Sequence, residues 1–272
     1  MPGVARIPAP TEPNRPRWSV VIPVHNCSDY LAHTLPEVVA QLGDRDDAEI
    51  IVVDDGSTAE NATLQRACVE AAQARFTEAG SPHRFTYVAA PRNGGKGSAI
   101  RLGWRSASPD ATWLGFLDAD GSISAEEFHR LAAMTQVPPG QDVDLLAGSR
   151  ILMAGRRVVR NLHRHLQGRI FATLTDTNFQ LHFYDTQCGV KLIRASVLRP
   201  LLELLREERW LLDVELLVLL KRQGARFLEV PIDWEDFGGS KVVPGLDAAR
   251  MFWGLYQLRR RLERLPLPQG NR

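Results

Sequence analysis

Two short acidic clusters, each closing an apolar run, are where this sequence could do chemistry. Asp54-Asp55-Gly56-Ser57 follows Ile50-Ile51-Val52-Val53, and Asp118-Ala119-Asp120-Gly121 follows Trp113-Leu114-Gly115-Phe116-Leu117. Both runs read as buried strands, and in open α/β sheets ligands gather beyond the carboxyl ends of the strands. Asp118 and Asp120 can share one hard divalent cation, Mg²⁺ or Mn²⁺, which in turn binds phosphate oxygens. That points to a nucleoside diphosphate handled through a metal. Asp54 and Asp55 could accept hydrogen bonds from a base or ribose. The plainer reading is a helix-capping turn, with Gly56 for the tight bend and Ser57 as the cap.

Other motifs could surround such a ligand. The first strand ends in Pro23-Val24-His25-Asn26, without the Gly-x-Gly-x-x-Gly of a dinucleotide fold. Pro23 should turn the chain out of the sheet, and His25 and Asn26 offer a ring and an amide where a base could lie. Asn93-Gly94-Gly95-Lys96-Gly97 opens a helix but is no Walker loop, because Ala90 stands where the first glycine is required. Gly94 and Lys96 could still approach a phosphate or a sugar; a flexible turn is the alternative. Arg150 closes a further strand and could pair bidentately with phosphate. From Arg150 to Thr175 there are six arginines, the histidines His163 and His165, and no acid. Such a stretch suits a phosphate or a lipid headgroup surface, or is simply an exposed basic face.

Asp213 and Glu215 interrupt an apolar helix start. Two residues apart, they do not share a helix face, so at most one points into a common site. Buried acids there serve as a base, as a hydrogen-bonded cap, or as an ion-pair partner of Arg209. Lys241, on the glycine-rich Gly238-Gly239-Ser240 segment, suits a lid over a diphosphate. Asp185-Thr186-Gln187-Cys188-Gly189-Val190-Lys191-Leu192 reads as a structured loop, since one Cys and one Asp do not make a metal site.

The elements that position these residues follow from periodicity. Strands are expected at 18–22, 49–53, 84–89, 113–117 and 143–147, alternating with helices at 30–42, 61–78, 98–106 and 125–134. That alternation argues for a mostly parallel sheet with helices on both faces. Beyond Gly148 the expectation is a long helix over 156–174, a strand at 190–193, helices at 195–206 and 211–222, a strand at 226–232 and a helix at 247–265. The proline-rich residues 1–17 are expected to be a disordered leader, and 18–272 one domain with a helical, acceptor-side extension. The formal net charge of +1 gives no field for nucleic acid. Three scattered cysteines fit a reducing cytosol. No apolar run is long enough to cross a bilayer.

In their order along the chain these motifs resemble family 2 inverting glycosyltransferases of the GT-A fold. More narrowly, residues 18 to 250 resemble dolichyl-phosphate β-glucosyltransferases and their polyprenyl-phosphate relatives. The narrow match rests on Asn93-Gly94-Gly95-Lys96-Gly97, Asp118-Ala119-Asp120-Gly121, Asp185 to Leu192, Arg209-Trp210 with Asp213-Val214-Glu215-Leu216-Leu217, and Gly239-Ser240-Lys241-Val242. The resemblance implies a nucleotide-sugar donor, UDP-glucose, and inversion at the sugar carbon. It implies that Pro23, His25, Asn26, Asp54 and Asp55 cradle the nucleoside and that Gly94 and Lys96 approach the donor. Asp118, Ala119 and Asp120 would hold the ribose and the metal-bound diphosphate, and Arg150 and Lys241 would balance phosphate charge. Asp213 and Glu215 are the candidate catalytic residues: with a polyprenyl phosphate acceptor they would position it or be structural, and with a hydroxyl, amine or thiol acceptor Asp213 would be the base. His25-Asn26-Cys27-Ser28 departs from the family's Tyr-Asn-Glu-Glu, Phe237-Gly238-Gly239 stands where the family tends to Ile-Pro-Gly, and a proline-rich leader replaces the membrane anchor of eukaryotic members.

The acceptor is either a polyprenyl phosphate or a soluble small molecule. The basic stretch and Met251-Phe252-Trp253-Gly254-Leu255-Tyr256 with Arg259-Arg260-Arg261 favour the lipid, with the protein cytoplasmic and touching the inner face of a membrane peripherally. Two other classes compete. A nucleotidyltransferase would want a glycine-rich basic loop straight after the first strand, which Pro23-Val24-His25-Asn26 does not supply. A non-catalytic sugar-nucleotide binder would bind donor without turnover.

Overall fold

The computed structural model describes residues 17–42, 48–78, 80, 83–159, 162–235 and 246–265. The elements are β1 (Trp18–Val24), α1 (Ser28–Leu42), β2 (Ala48–Asp54), α2 (Ala59–Glu78), β3 (Arg84–Ala89), α3 (Lys96–Ser106), β4 (Trp113–Leu117), α4 (Ala125–Met134), β5 (Leu145–Ser149), β6 (Val158–Val159), α5 (Leu162–Phe179), β7 (Val190–Arg194), α6 (Ala195–Leu198), α7 (Leu212–Arg222), β8 (Phe227–Pro231), β9 (Trp234–Glu235) and α8 (Leu246–Glu263).

Seven strands form one sheet in the order β3-β2-β1-β4-β7-β5-β8. Alternate side chains of a strand point to opposite faces, so a strand covered on both sides is apolar throughout. Val20, Ile22, Ile50 and Val52 pack on one face with Leu31, Leu35, Val69 and Phe128 of α1, α2 and α4. Val21, Ile51 and Val53 pack on the other with Trp104, Phe171, Leu216 and Leu258 of α3, α5, α7 and α8. Gly103 lets α3 press onto that second face, because a Cβ there would come within 2.5 Å of Val21. Helices therefore cover both faces, as the β–α alternation requires.

One strand breaks the parallel rule. β7 runs antiparallel to both β4 and β5, with Leu117 opposite Val190. An antiparallel strand starts where its parallel neighbours end. The 185–189 loop is thereby delivered to the carboxyl edge of the sheet, and Asp118 N–H donates to Gly189 O over 2.9 Å.

Several expectations are corrected. β1 continues through Pro23 to Val24. The missing N–H is tolerated because the pairing with β4 ends at Val21. The helix expected over 156–174 starts at Leu162, because β-branched Val158 and Val159 pair instead with β9. The helix expected over 195–206 stops at Leu198 and tightens into a 3-10 turn over Arg199–Leu201, where Pro200 cannot donate to a helical ladder. Arg17, assigned to the leader, is tied to the start of β4: its carbonyl accepts from Thr112 N and Trp113 N. The rest of the leader, and the Gly238–Val242 segment with Lys241, lie outside the described residues. No described helix is long and apolar enough to cross a membrane.

Candidate active site

The carboxyl ends of β1, β2 and β4 meet the start of α3, and the acids expected there behave differently. Asp54 and Asp55 are 3% and 4% exposed. Asp54 accepts from Ser57 N (2.9 Å) and from the Tyr87 hydroxyl (2.8 Å). Asp55 accepts from Gly94 N (2.8 Å) and Gly95 N (2.7 Å). These acids fasten the turn and the glycine loop from beneath, which is the capping role of the plainer reading. Burial first, then the hydrogen bond to Asp54, pushes the Tyr87 phenol above its ordinary value. His25 and Asn26 lie exposed above this turn. His25 Nδ1 lies 3.0 Å from Asp55 O, an acceptor, so Nδ1 carries the proton and Nε2 accepts from Asn26 Nδ2 at 3.2 Å. Asn26 occupies the left-handed region (φ 49), which Asn tolerates. Its side-chain Oδ1 accepts from Thr58 N at 2.8 Å.

Asp118, Asp120 and Lys96 form the charged centre. Lys96 Nζ lies 2.7 Å from Asp118 Oδ1 and donates to Oδ2 at 3.0 Å. Burial pulls the Lys96 ammonium down, but Asp118, Asp213 and Asp120 outweigh it, and its pKa ends above the ordinary lysine value. Both Asp118 oxygens therefore face the Lys96 ammonium, and Oδ1 is buried against it. Gly189 is required here: a Cβ would lie 2.5 Å from Asp118 Oδ2. Ala119 is buried, and its carbonyl accepts from Thr34 Oγ1 at 3.2 Å, which anchors the turn to α1. Asp120 is exposed, and its Oδ1 accepts from Ser122 N at 3.0 Å. No three His, Cys, Asp or Glu side chains cluster as a metal cage among the described residues. A cation held here would take its remaining ligands from a substrate and water, as Mg²⁺ does at phosphate sites.

Asp213 and Glu215 part company, as their two-residue spacing requires. Asp213 Oδ1 lies 2.6 Å from Nζ of Lys191, which is 0% exposed and also donates to Thr186 O and Cys188 O at 3.0 Å each. Lys191 thus clamps the 185–189 loop to the start of α7. Glu215, also 0% exposed, accepts from Arg206 N, Glu207 N and Arg261 Nη1. It ties the 206–207 turn to α8 and lies outside the Asp118–Lys96–Asp213 group. The ion pair of either acid with Arg209 is not formed among the described residues. Arg150 turns one edge of its fork on Asp185, through Nε at 2.6 Å and Nη2 at 2.8 Å. Burial alone would raise Asp185, but Arg150 outweighs it and holds the carboxyl below the usual range.

Lys191 and Tyr87 were missed as site residues. Lys191 had a legible signal, a lysine inside the apolar run Val190-Lys191-Leu192-Ile193, because a buried lysine demands a buried acid. Tyr87 had none, since its partner lies 33 residues away.

Comparison with known proteins matches this geometry to a family. The model of glycosyl transferase family 2 matches residues 19–202. A dolichyl-phosphate β-glucosyltransferase of Drosophila melanogaster is 31% identical over 253 residues, 90% of this chain and 72% of that protein. That of Saccharomyces cerevisiae is 29% identical over 244 residues, 86% of this chain and 71% of that protein. Among solved structures, glucosyl-3-phosphoglycerate synthase from Mycobacterium tuberculosis, in complex with Mn²⁺, UDP and glucosyl-3-phosphoglycerate, superposes with a TM-score of 0.59 at 16% identity, covering 93% of this chain and 81% of that one. The mannosyltransferase PcManGT from Pyrobaculum calidifontis, in complex with GDP-Man and Mn²⁺, gives 0.57 at 17% identity, covering 94% and 67%. The structural likeness establishes the fold, and the family match over more than half of the chain establishes the membership: this protein belongs to glycosyl transferase family 2 and is a glycosyltransferase of the GT-A fold.

Proposed function

We propose that this enzyme transfers glucose from UDP-glucose to the phosphate of a polyprenyl or dolichyl lipid, with inversion at the sugar carbon. The observation that carries this reading is the length of the likeness: about nine-tenths of the chain matches enzymes named dolichyl-phosphate β-glucosyltransferase. In the reaction a phosphate oxygen of the lipid forms a bond to C1 of glucose. The bond from C1 to the β-phosphate oxygen breaks, and UDP leaves with the electron pair.

The residues take these roles. Pro23, His25 and Asn26 border the nucleoside, on a turn that Asp54 and Asp55 hold in place. Gly94 and Lys96 face the donor. Asp118 and Asp120 would hold Mg²⁺ or Mn²⁺; the exposed Asp120 carboxylate fits a hard cation, and Asp118 would share its oxygens between that cation and Lys96. When bound, the cation neutralises charge on the departing diphosphate. Lys96 adds a fixed positive charge beside Asp118, in a site that needs no reorganisation as charge develops. Lys241 is proposed as a lid residue over the diphosphate, and Arg150 stiffens the edge through Asp185.

The acceptor reading draws support from Asp213. A hydroxyl acceptor needs a general base. A phosphate monoester, with a second pKa near roughly 6, is already ionised at neutral pH and needs none. Asp213 is held 2.6 Å from the buried Lys191 ammonium, which suits a positioning acid better than a free base. We place the enzyme peripherally at a membrane face, where the exposed Phe252, Trp253 and Tyr256 of α8 meet lipid.

The test is turnover of UDP- and GDP-sugars with Mg²⁺ or Mn²⁺, each with and without a short polyprenyl phosphate. Lipid-dependent release of UDP, lost in Asp120→Ala, supports the reading. Metal-dependent donor binding to which the lipid adds no turnover overturns it and directs the search to soluble acceptors.

A further inference from the structure

The glycine loop has two sides. Asp55 holds one of them through Gly94 N and Gly95 N. The other carries the segment that precedes α7. A Cβ on Gly95 would lie 2.7 Å from Glu208 O and 2.8 Å from Arg209 Cγ, and one on Gly97 would lie 2.8 Å from Glu207 O and Arg209 O. Ser98 N–H donates to Glu208 O over 3.0 Å. Residues 207–209 are therefore seated directly on the loop, in contact too close for any side chain on the glycines.

This seating lays the stem of Arg209 on Gly95, one residue from Lys96. Arg209 is exposed, and its guanidinium makes no hydrogen bond, ion pair or ring contact with any described residue. Its cationic neighbours in the site are not so placed. Lys96 is held by Asp118, Lys191 by Asp213, and Arg150 by Asp185. An open guanidinium fork whose stem rests on Gly95 can take a phosphate through two parallel hydrogen bonds.

The surroundings say which phosphate. On the proposed donor reading the nucleoside lies on the Asp55 side of the loop, away from residues 207–209. Next to Arg209, Trp210 is 41% exposed, and Leu211 packs on Gly254 of α8. The outer face of α8 carries the exposed Phe252, Trp253 and Tyr256, with Arg260 Nη1 on the Tyr256 hydroxyl at 3.0 Å. An open arginine followed by exposed aromatics matches a phosphate head followed by an apolar tail.

We propose that Arg209 binds the phosphate of the acceptor, with Trp210 beside it as contact for the first apolar units of the chain. This rests on the lipid-phosphate reading and names a residue that reads that acceptor.

The experiment compares the full-length wild type with Arg209→Gln and Arg209→Lys, using UDP-glucose and a short isoprenyl phosphate, with folding checked by circular dichroism. Arg209→Gln should raise the acceptor KM about tenfold or more, the loss of a charge-assisted hydrogen-bonded contact, while the donor KM stays within about twofold. Arg209→Lys should recover part of the loss, since it keeps the charge but not the fork. Inorganic phosphate should inhibit competitively against the acceptor in the wild type with an inhibition constant well above the acceptor KM; an inhibition constant equal to that KM would remove the role of Trp210. An unchanged acceptor KM in Arg209→Gln, or an equal rise in donor KM, overturns the assignment. If the wild type uses no phosphate acceptor, the proposed function has failed. Arg209 is then judged by calorimetric binding of isoprenyl phosphate in the presence of UDP. Binding lost in Arg209→Gln sustains the assignment; binding that is absent from the wild type or unchanged in the variant ends it.

Discussion

Asp54-Asp55 and Asp118-Ala119-Asp120 occupy matching places, each at the carboxyl end of a parallel strand with β1 between them. In sequence they are twins; in the structure they are opposites. All four carboxylate oxygens of Asp54 and Asp55 accept a hydrogen bond from the protein, and both residues are nearly dry. Asp120 stands in solvent with one backbone donor, and Asp118 is faced by the Lys96 ammonium. A strand end brings a carboxylate to the functional edge, but its surroundings decide whether its lone pairs serve the fold or a ligand. The same division runs through α7. Asp213 joins the charged centre through Lys191, and Glu215 fastens α8.

The contrast can be broken by separating stability from turnover. The largest expected effect is Lys191→Met, which leaves Asp213 buried without its cation and should cost about 3–5 kcal/mol in denaturant unfolding. Adding Asp213→Leu should restore much of that stability without restoring glycosyl transfer. If the single variant unfolds like the wild type, the clamp is not structural. Asp120→Ala should do the reverse: transfer falls roughly 10²–10³-fold while the unfolding midpoint barely moves. A large stability loss there would erase the distinction between open and closed acids. Asp55→Asn sets an amide against two backbone donors and should cost about 1–3 kcal/mol. Turnover should fall only as far as the glycine loop loosens, read as a rise in donor KM.

The smallest effect is expected from Tyr87→Phe, about 1 kcal/mol at neutral pH for one hydrogen bond to Asp54. It also carries a pH signature. The folded phenol titrates above its unfolded value, so its contribution is complete below about pH 10 and is lost as pH rises through the folded value. Unfolding free energy followed from pH 8 to 11 should therefore fall more steeply in the wild type than in Tyr87→Phe. Parallel curves would mean the hydroxyl is no more tightly held in the folded chain than in the unfolded one.

What the sequence determined by itself was local. Continuous β-branched and aromatic runs specify the strands ending at Asp54 and Leu117, and helical periodicity specifies α1 to α4, because these patterns are set by contacts a few residues apart. The motif order also carried the family, and Asp118-Ala119-Asp120 was legible as an acidic strand end. The tertiary structure alone decided the rest. It closed Arg150 on Asp185, 35 residues away, and Lys191 on Asp213, 22 residues away. It reversed β7 so that Gly189 meets Asp118, and it laid residues 207–209 on the glycine loop. Desolvation and pairing depend on which distant groups arrive beside a charge, and the local pattern around a carboxylate does not record that.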